Sequence, residues 1–305
     1  MQFLSDAGHA RLLNNRTQAN GERGATWVDS LPGLIERLAE TWGLAIEPHF
    51  ENLSYNYVAP VRCSGAPAVL KLCVPDHDFL CEAEALRLFD GEACVRLLEL
   101  DRNAGAMLLE RIEPGAEVHT LADDIAETSA VAAVMRDIQR PYAGLFPFPH
   151  ATEWINDALD PNAIPSLKAR FPWIERALQR LVELSQEPYD EVILHGDLHH
   201  DNVLSSEREK WLAIDPKGVI GDPAWEIAPF LFNRLIRYAR LDWPSIIRRR
   251  ADQLADELSL DRDRVYAWSA VRAVQSAFWS LRDDPSYNGP IFEGSMVCAE
   301  ALTEA

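Results

Sequence analysis

The chain has 305 residues, with 48 acidic against 29 basic side chains and a formal net charge of −19. That balance disfavours polyanionic partners such as nucleic acid or an anionic membrane surface. Its length suits two lobes with separate cores, and a 48% hydrophobic content is that of a soluble globular protein. No apolar run approaches membrane-spanning length, and the N-terminus lacks the basic and apolar regions of a secretory signal. Cys63, Cys73, Cys81, Cys94 and Cys298 show no C-x-x-C spacing and read as reduced core thiols of a cytoplasmic protein.

Residues before about Thr26 are polar and glycine-spotted without sustained periodicity, so a loosely held arm is expected there. Leu31, Leu34, Ile35, Leu38 and Trp42 form a helical stripe closed by Gly43. Strand-like segments follow at 56–61, 68–74 and 106–110, with one helix, 79–91, between the last two. Beyond Gly115 the pattern is mainly helical, broken by a strand pair on either side of the loop that follows Leu194. Strands first and helices later predict an α+β, two-lobed architecture rather than alternating βαβ units.

Lys71 lies mid-strand in the apolar run AVLKLCV. Its ammonium must reach a partner or solvent, because unpaired burial is costly. It reads either as an edge-strand lysine or as the phosphate-holding lysine of a kinase-like lobe. The following helix favours the second. Phe79, Glu82, Leu86 and Phe89 follow i, i+3, i+7, i+10 spacing, which puts Glu82 on the apolar face as the expected ion-pair partner. Glu84 is the alternative.

The most specific stretch is HGDLHHDN, residues 195–202, delivered by the apolar run 192–194. Asp197 and Asn202 are five positions apart, the spacing of a catalytic carboxylate and a metal-binding carboxamide in kinase-like enzymes. A second strand-like run, 210–214, ends in Asp215, the expected second metal ligand. His195 is expected to hold the loop rather than to react. A transition-metal site is the competing reading. The chain has no histidine after His200, so such a site would need distant carboxylates or upstream ligands.

The blocks HGDLHHDNVL (195–204), AIDPKG (213–218) and GDPAWEIA (221–228) resemble the aminoglycoside phosphotransferase family, in its streptomycin 6-kinase or hydroxyurea-type branch. AVLKL (68–72), VRLLE (95–99) and MLLERIEPG (107–115) extend the resemblance into the first half. It implies a protein-kinase-like fold, with an N-terminal arm and sheet-containing lobe over 1–111 and a larger helical lobe over 112–305. It also implies transfer of the γ-phosphate of ATP, or another nucleoside triphosphate, to a small-molecule hydroxyl with Mg²⁺. An antibiotic of the streptomycin type is the expected acceptor, and a monomer or weak dimer the expected state.

In this reading Asp197 orients the acceptor hydroxyl, Asn202 and Asp215 hold the metal, and Lys71 neutralises phosphates. The nucleotide-covering hairpin, 51–58, contains no glycine, so Ser54 and Asn56 are expected to supply turn geometry and donors. Glu110, Arg111 and Ile112 are the expected main-chain contacts to adenine. Trp225, Glu226, Trp279 and Asp283 are the expected acceptor contacts: carboxylates for a cation and indoles for cation–π contact. Asp222 is explained by helix capping alone. A housekeeping kinase for a sugar, amino alcohol or nucleoside, and a pseudokinase-like nucleotide-binding protein, stay open as alternatives.

Overall fold

A computed structural model describes residues 3–158, 171, 173–283 and 289–304. The chain forms two compact units, Met1–Glu113 and Pro114–Ala305.

The first unit opens with α1, Asp6–Trp42, whose N-cap Ser5 accepts the Gly8 N–H and whose C-cap Gly43 turns left-handed. The expected loose arm is therefore helix. Gly21, at φ 58°, kinks it, which explains why no single periodicity spans the segment. The first half of α1 buries Gly8 and Leu12 and packs Leu13 against the core, and side-chain hydrogen bonds add to its docking. The second half lays Leu31, Ile35 and Leu38 against Tyr57, Val61, Leu70 and Leu72 of the sheet.

That sheet is antiparallel, in the order β1-β2-β3-β5-β4, built from β1 (Leu44–Ile46), β2 (Tyr57–Cys63), β3 (Ala66–Leu72), β4 (Leu97–Asp101) and β5 (Ala106–Glu110). Lys71 is paired in register with Val58 on one side and Met107 on the other, so β3 is an interior strand. The edge-strand explanation of Lys71 is thereby removed. α2, His77–Phe89, follows β3 and is capped by Asp76, whose side chain accepts the Phe79 N–H.

The second unit is mainly helical, with two small sheets that carry the functional loop. β6 (Pro114–Glu117) leads to α3 (Asp124–Ile138), β7 (Arg140–Pro141), α4 (Ala151–Ala158) and α5 (Trp173–Leu184). β8 (Val192–Leu194) then pairs with β7 and with β11 (Val219–Gly221). β9 (Val203–Ser206) pairs with β6 and with β10 (Trp211–Ala213). The loop 195–202 thus runs from one sheet to the other, and Asp215 follows β10. After α6 (Ala228–Phe232) come α7 (Trp243–Leu258), α8 (Arg262–Asp283) and α9 (Pro290–Thr303). α8 buries Trp268, Val271, Val274 and Phe278, and Leu281 is half-buried. Among the described residues no helix is long and apolar enough to cross a membrane.

Candidate active site

Interior strand pairing leaves Lys71 4% exposed, and its Nζ lies 2.5 Å from Glu82 Oε1. A pair this deeply desolvated is held by mutual need. Removing one partner from such a pair costs about 3–5 kcal/mol because the other charge stays buried. Glu84 serves a different purpose: it binds Arg87 at 3.0 Å and Arg102 at 3.5 Å, both largely exposed. Of the two carboxylates on α2, Glu82 is the one that meets Lys71.

At the end of β5, the Glu110 N–H donates to the Arg96 carbonyl at 2.9 Å, and its carboxylate accepts the Arg96 N–H at 3.1 Å. Arg111 reaches back to Glu47 at 3.3 Å. Glu110 is thus committed to the turn that starts β4. Ser54 and Asn56 precede β2. The Ser54 carbonyl accepts from Asn15 at 2.8 Å, and Asn56 Oδ1 accepts from Arg16.

In the second unit, buried His195 orders the loop. Its Nε2 donates to the Ile214 carbonyl at 2.8 Å while its Nδ1 accepts the Asp197 N–H at 3.3 Å. Burial pushes this imidazole down to about 4, so it is neutral and structural, as expected. The Ile214 N–H donates to the Asn202 carbonyl at 3.0 Å, and the Lys217 N–H to the His195 carbonyl at 2.6 Å. These bonds lock 195–202 against 214–217, which places Asn202 and Asp215 on neighbouring segments.

Asn202 Nδ2 donates to the Asp197 carbonyl at 3.0 Å, which leaves its Oδ1 as the atom to offer a cation. Asp215 adopts a left-handed backbone, φ 64°, rare outside glycine but accessible to aspartate. Its Oδ2 is 2.6 Å from Lys217 Nζ. Two oxygen donors of this kind fit magnesium, which prefers hard ligands. The Asp197 side chain is about one-third exposed. Burial alone would raise its carboxyl, but His199, Lys217 and Arg272 outweigh that and hold it below the ordinary carboxylate range.

A model of the aminoglycoside/hydroxyurea antibiotic resistance kinase family matches residues 49–284. The chain belongs to that family. It is 36% identical over 290 residues to a hydroxyurea phosphotransferase of Kitasatospora aureofaciens, covering 90% of this chain and 80% of that protein. It is 33% identical over 301 residues to a streptomycin 6-kinase of Streptomyces griseus, covering 96% of each. Among solved structures, the choline kinase LicA of Streptococcus pneumoniae aligns with a TM-score of 0.63 at 14% identity, over 90% of this chain and 99% of that one. The aminoglycoside phosphotransferase APH(4)-Ia bound to ADP and hygromycin B gives 0.61 at 15%, over 88% and 97%. These likenesses establish the protein-kinase-like fold. Family membership makes the chain a phosphotransferase with a hydroxyl group as acceptor.

Two expected acceptor contacts of this family member are corrected by its structure. Glu226 is 1% exposed and accepts the Gly196 N–H on both carboxylate oxygens at 3.1 Å. It fastens the catalytic loop from beneath instead of gripping a ligand. Burial pushes it up to about 7, against the main-chain donors that stabilise its charge. Trp225 is fully buried, and the Arg272 guanidinium lies 4.5 Å from its ring centroid. Its face is therefore already taken by an internal cation. Trp279 is half-buried, with Arg272 at 4.9 Å and the Trp154 ring at 5.6 Å. The Asp283 side chain lies outside the described residues.

Sequence reasoning passed over Arg272, Lys217, His199 and Trp154. Arg272 is 2% exposed, donates to the Gly196 carbonyl at 3.4 Å, and is held near 10 by burial. An arginine beside Val271, in the run WSAVRAV (268–274), was the available signal. Half-buried Trp154 stands 6.0 Å from Trp225 and brings its ring edge to Gly196. Asp222 caps the turn at 223–227 and accepts from Trp268 at 2.6 Å and Arg264 at 2.5 Å, a structural role.

Proposed function

We propose that this chain transfers the γ-phosphoryl group of ATP to a hydroxyl of a cationic, polyhydroxylated small molecule of the streptomycin type. The observation that carries the reading is a partly exposed Asp197 on the same locked loop as Asn202, with Asp215 on the segment bonded to it. Asp197, kept ionised, accepts a hydrogen bond from the acceptor hydroxyl and aligns its oxygen for in-line attack. As the new O–P bond forms and the anhydride bond breaks, the hydroxyl proton passes to that carboxylate. Lys71, steadied by Glu82, balances phosphate charge. Asn202 and Asp215 would hold magnesium, which would supply charge neutralisation on the triphosphate. The main chain of Glu110, Arg111 and Ile112 would meet the adenine edge. Catalysis of this type is mainly positioning and electrostatic stabilisation.

Support for a cationic acceptor comes from the net charge of −19 and from the streptomycin 6-kinases at 33% identity. The indole that remains for the acceptor is the outer side of the Trp154–Trp279 pair, since Arg272 fills the inner side. Coupled measurement of ADP release should show stimulation by streptomycin, weakening as salt rises. Hydroxyurea, a neutral sugar and a deoxystreptamine aminoglycoside serve as comparison acceptors. Release driven by a neutral hydroxyl compound and not by streptomycin would overturn the acceptor class.

A further inference from the structure

The segment between β1 and β2 has no glycine over 51–56, and none of its residues has a positive φ. A phosphate-cradling loop ordinarily uses glycine so that successive N–H groups converge on an anion. This chain arranges its hairpin differently. Arg11 Nη1 donates to the carbonyls of Glu51 at 3.3 Å and Leu53 at 3.4 Å. Asn15 donates to the Ser54 carbonyl at 2.8 Å, and Arg16 Nε to the Tyr55 carbonyl at 2.5 Å. Arg16 also donates to Asn56 Oδ1 and lies 5.3 Å from the Trp27 ring centroid and 5.8 Å from that of Tyr55. Three side chains on the first half of α1 thus hold the carbonyls of Glu51, Leu53, Ser54 and Tyr55.

In a planar trans peptide the N–H points opposite to the C=O. With the carbonyls of Leu53, Ser54 and Tyr55 drawn to α1, the N–H groups of Ser54, Tyr55 and Asn56 point away from it. Among the described residues none of these three donates to a protein acceptor. We infer that the first half of α1 is a brace which, through Arg16, Asn15 and Arg11, presents the N–H groups of residues 54–56 to the triphosphate in place of a glycine loop. Arg16 and Asn15 are positioning residues. They lie before the residues matched by the family model, 49–284.

The inference rests on the reading of 51–56 as the nucleotide-covering hairpin. Its test is calorimetric titration with MgATP, together with steady-state KM values for ATP and acceptor, on the full chain. Arg16→Gln is expected to raise the Kd for MgATP about tenfold, and Asn15→Asp, an isosteric loss of the donor on a half-buried side chain, about threefold. Acceptor KM should stay within twofold of the wild type, and Arg16→Lys should restore part of the affinity. A purely structural role would lower Tm and leave the ratio of the two KM values unchanged. If Asn15→Asp and Arg16→Gln both bind MgATP within twofold of the wild type, the brace is wrong while the kinase reading stands. Wild-type protein that binds no MgATP overturns the kinase reading and the brace with it.

Discussion

The loop at 195–202 is held by polar groups within its own unit's core, whereas the hairpin at 51–56 buries Leu53 and takes its side-chain hydrogen bonds from one helix. Beneath the loop lie Glu226, which takes the Gly196 N–H, and Arg272, which binds the Gly196 carbonyl; neutral His195 adds two more bonds. All three are at most 2% exposed. The hairpin's bonds come from Arg11, Asn15 and Arg16, whose side chains are partly solvated. Buried groups that lose a partner keep a full desolvation penalty, while solvated ones recover water. The loop is therefore built for one fixed geometry. The hairpin can be adjusted by single surface substitutions.

The comparison breaks first if the exposed tip of the loop is not where the chemistry happens. Asp197→Asn keeps shape and removes the proton acceptor, so turnover should fall by about 10²–10⁴ with MgATP affinity and Tm nearly unchanged. ADP release under saturating substrates checks it, and near-normal turnover would remove Asp197 from the mechanism. Next in size come the proposed metal ligands. Asn202→Ala and Asp215→Ala should each weaken MgATP binding by roughly tenfold or more, since each deletes an oxygen donor from a hard-cation site. Asn202→Ala also cuts the bond to the Asp197 carbonyl, and Asp215→Ala puts alanine at φ 64° and cuts the Lys217 pair, so both should lower Tm as well.

A smaller effect separates the two acids of α2. Glu82→Gln should reduce turnover about tenfold by releasing Lys71 from its 2.5 Å pair. Glu84→Gln should be close to silent, because its partners Arg87 and Arg102 have side chains 64% and 53% exposed and such pairs contribute about 0–1 kcal/mol. Equal losses in the two variants would mean that α2 is held by its whole acidic face and not by one pair.

How much of this was legible in the sequence divides along the same line. Asp197, Asn202 and Asp215 sit within one short stretch, where spacing alone places them. Lys71 and Glu82 were readable because a strand and a helix have fixed periods, and a charge on an apolar face needs a partner. The first half of α1 was misread as an arm. Its docking depends on Arg11, Asn15 and Arg16, which bond to carbonyls about 40 positions away, and hydrogen bonds to main chain leave no hydrophobic pattern. Glu226 and Trp225 were misassigned for a related reason. An acid beside an indole looks like a cation grip, but burial turned the acid to the loop backbone and gave the indole an internal arginine.

The loop's buried support also sets how stability depends on pH. His195 and His200 are both pushed down to about 4 by burial, from an unfolded value near 6.5. The unfolded chain takes up their protons first, so their contribution is present above about 6.5 and lost as pH falls toward 4. Glu226 acts in the opposite sense. Its folded value of about 7 lies above the ordinary 4.5, so its contribution is present below about 4.5 and lost as pH rises through 7. Each shift of this size corresponds to roughly 3 kcal/mol, and two histidines outweigh one glutamate. Urea midpoints should therefore fall between pH 6.5 and 4.5 in the wild type. Glu226→Gln keeps an acceptor oxygen for the Gly196 N–H but removes the opposing titration. Its midpoint should gain on the wild type as pH rises from 5 to 7.5, and the wild-type drop on acidification should become steeper. A constant difference between the two proteins across that range would show that Glu226 is ionised throughout, held as a carboxylate by Arg272 and the loop's N–H groups.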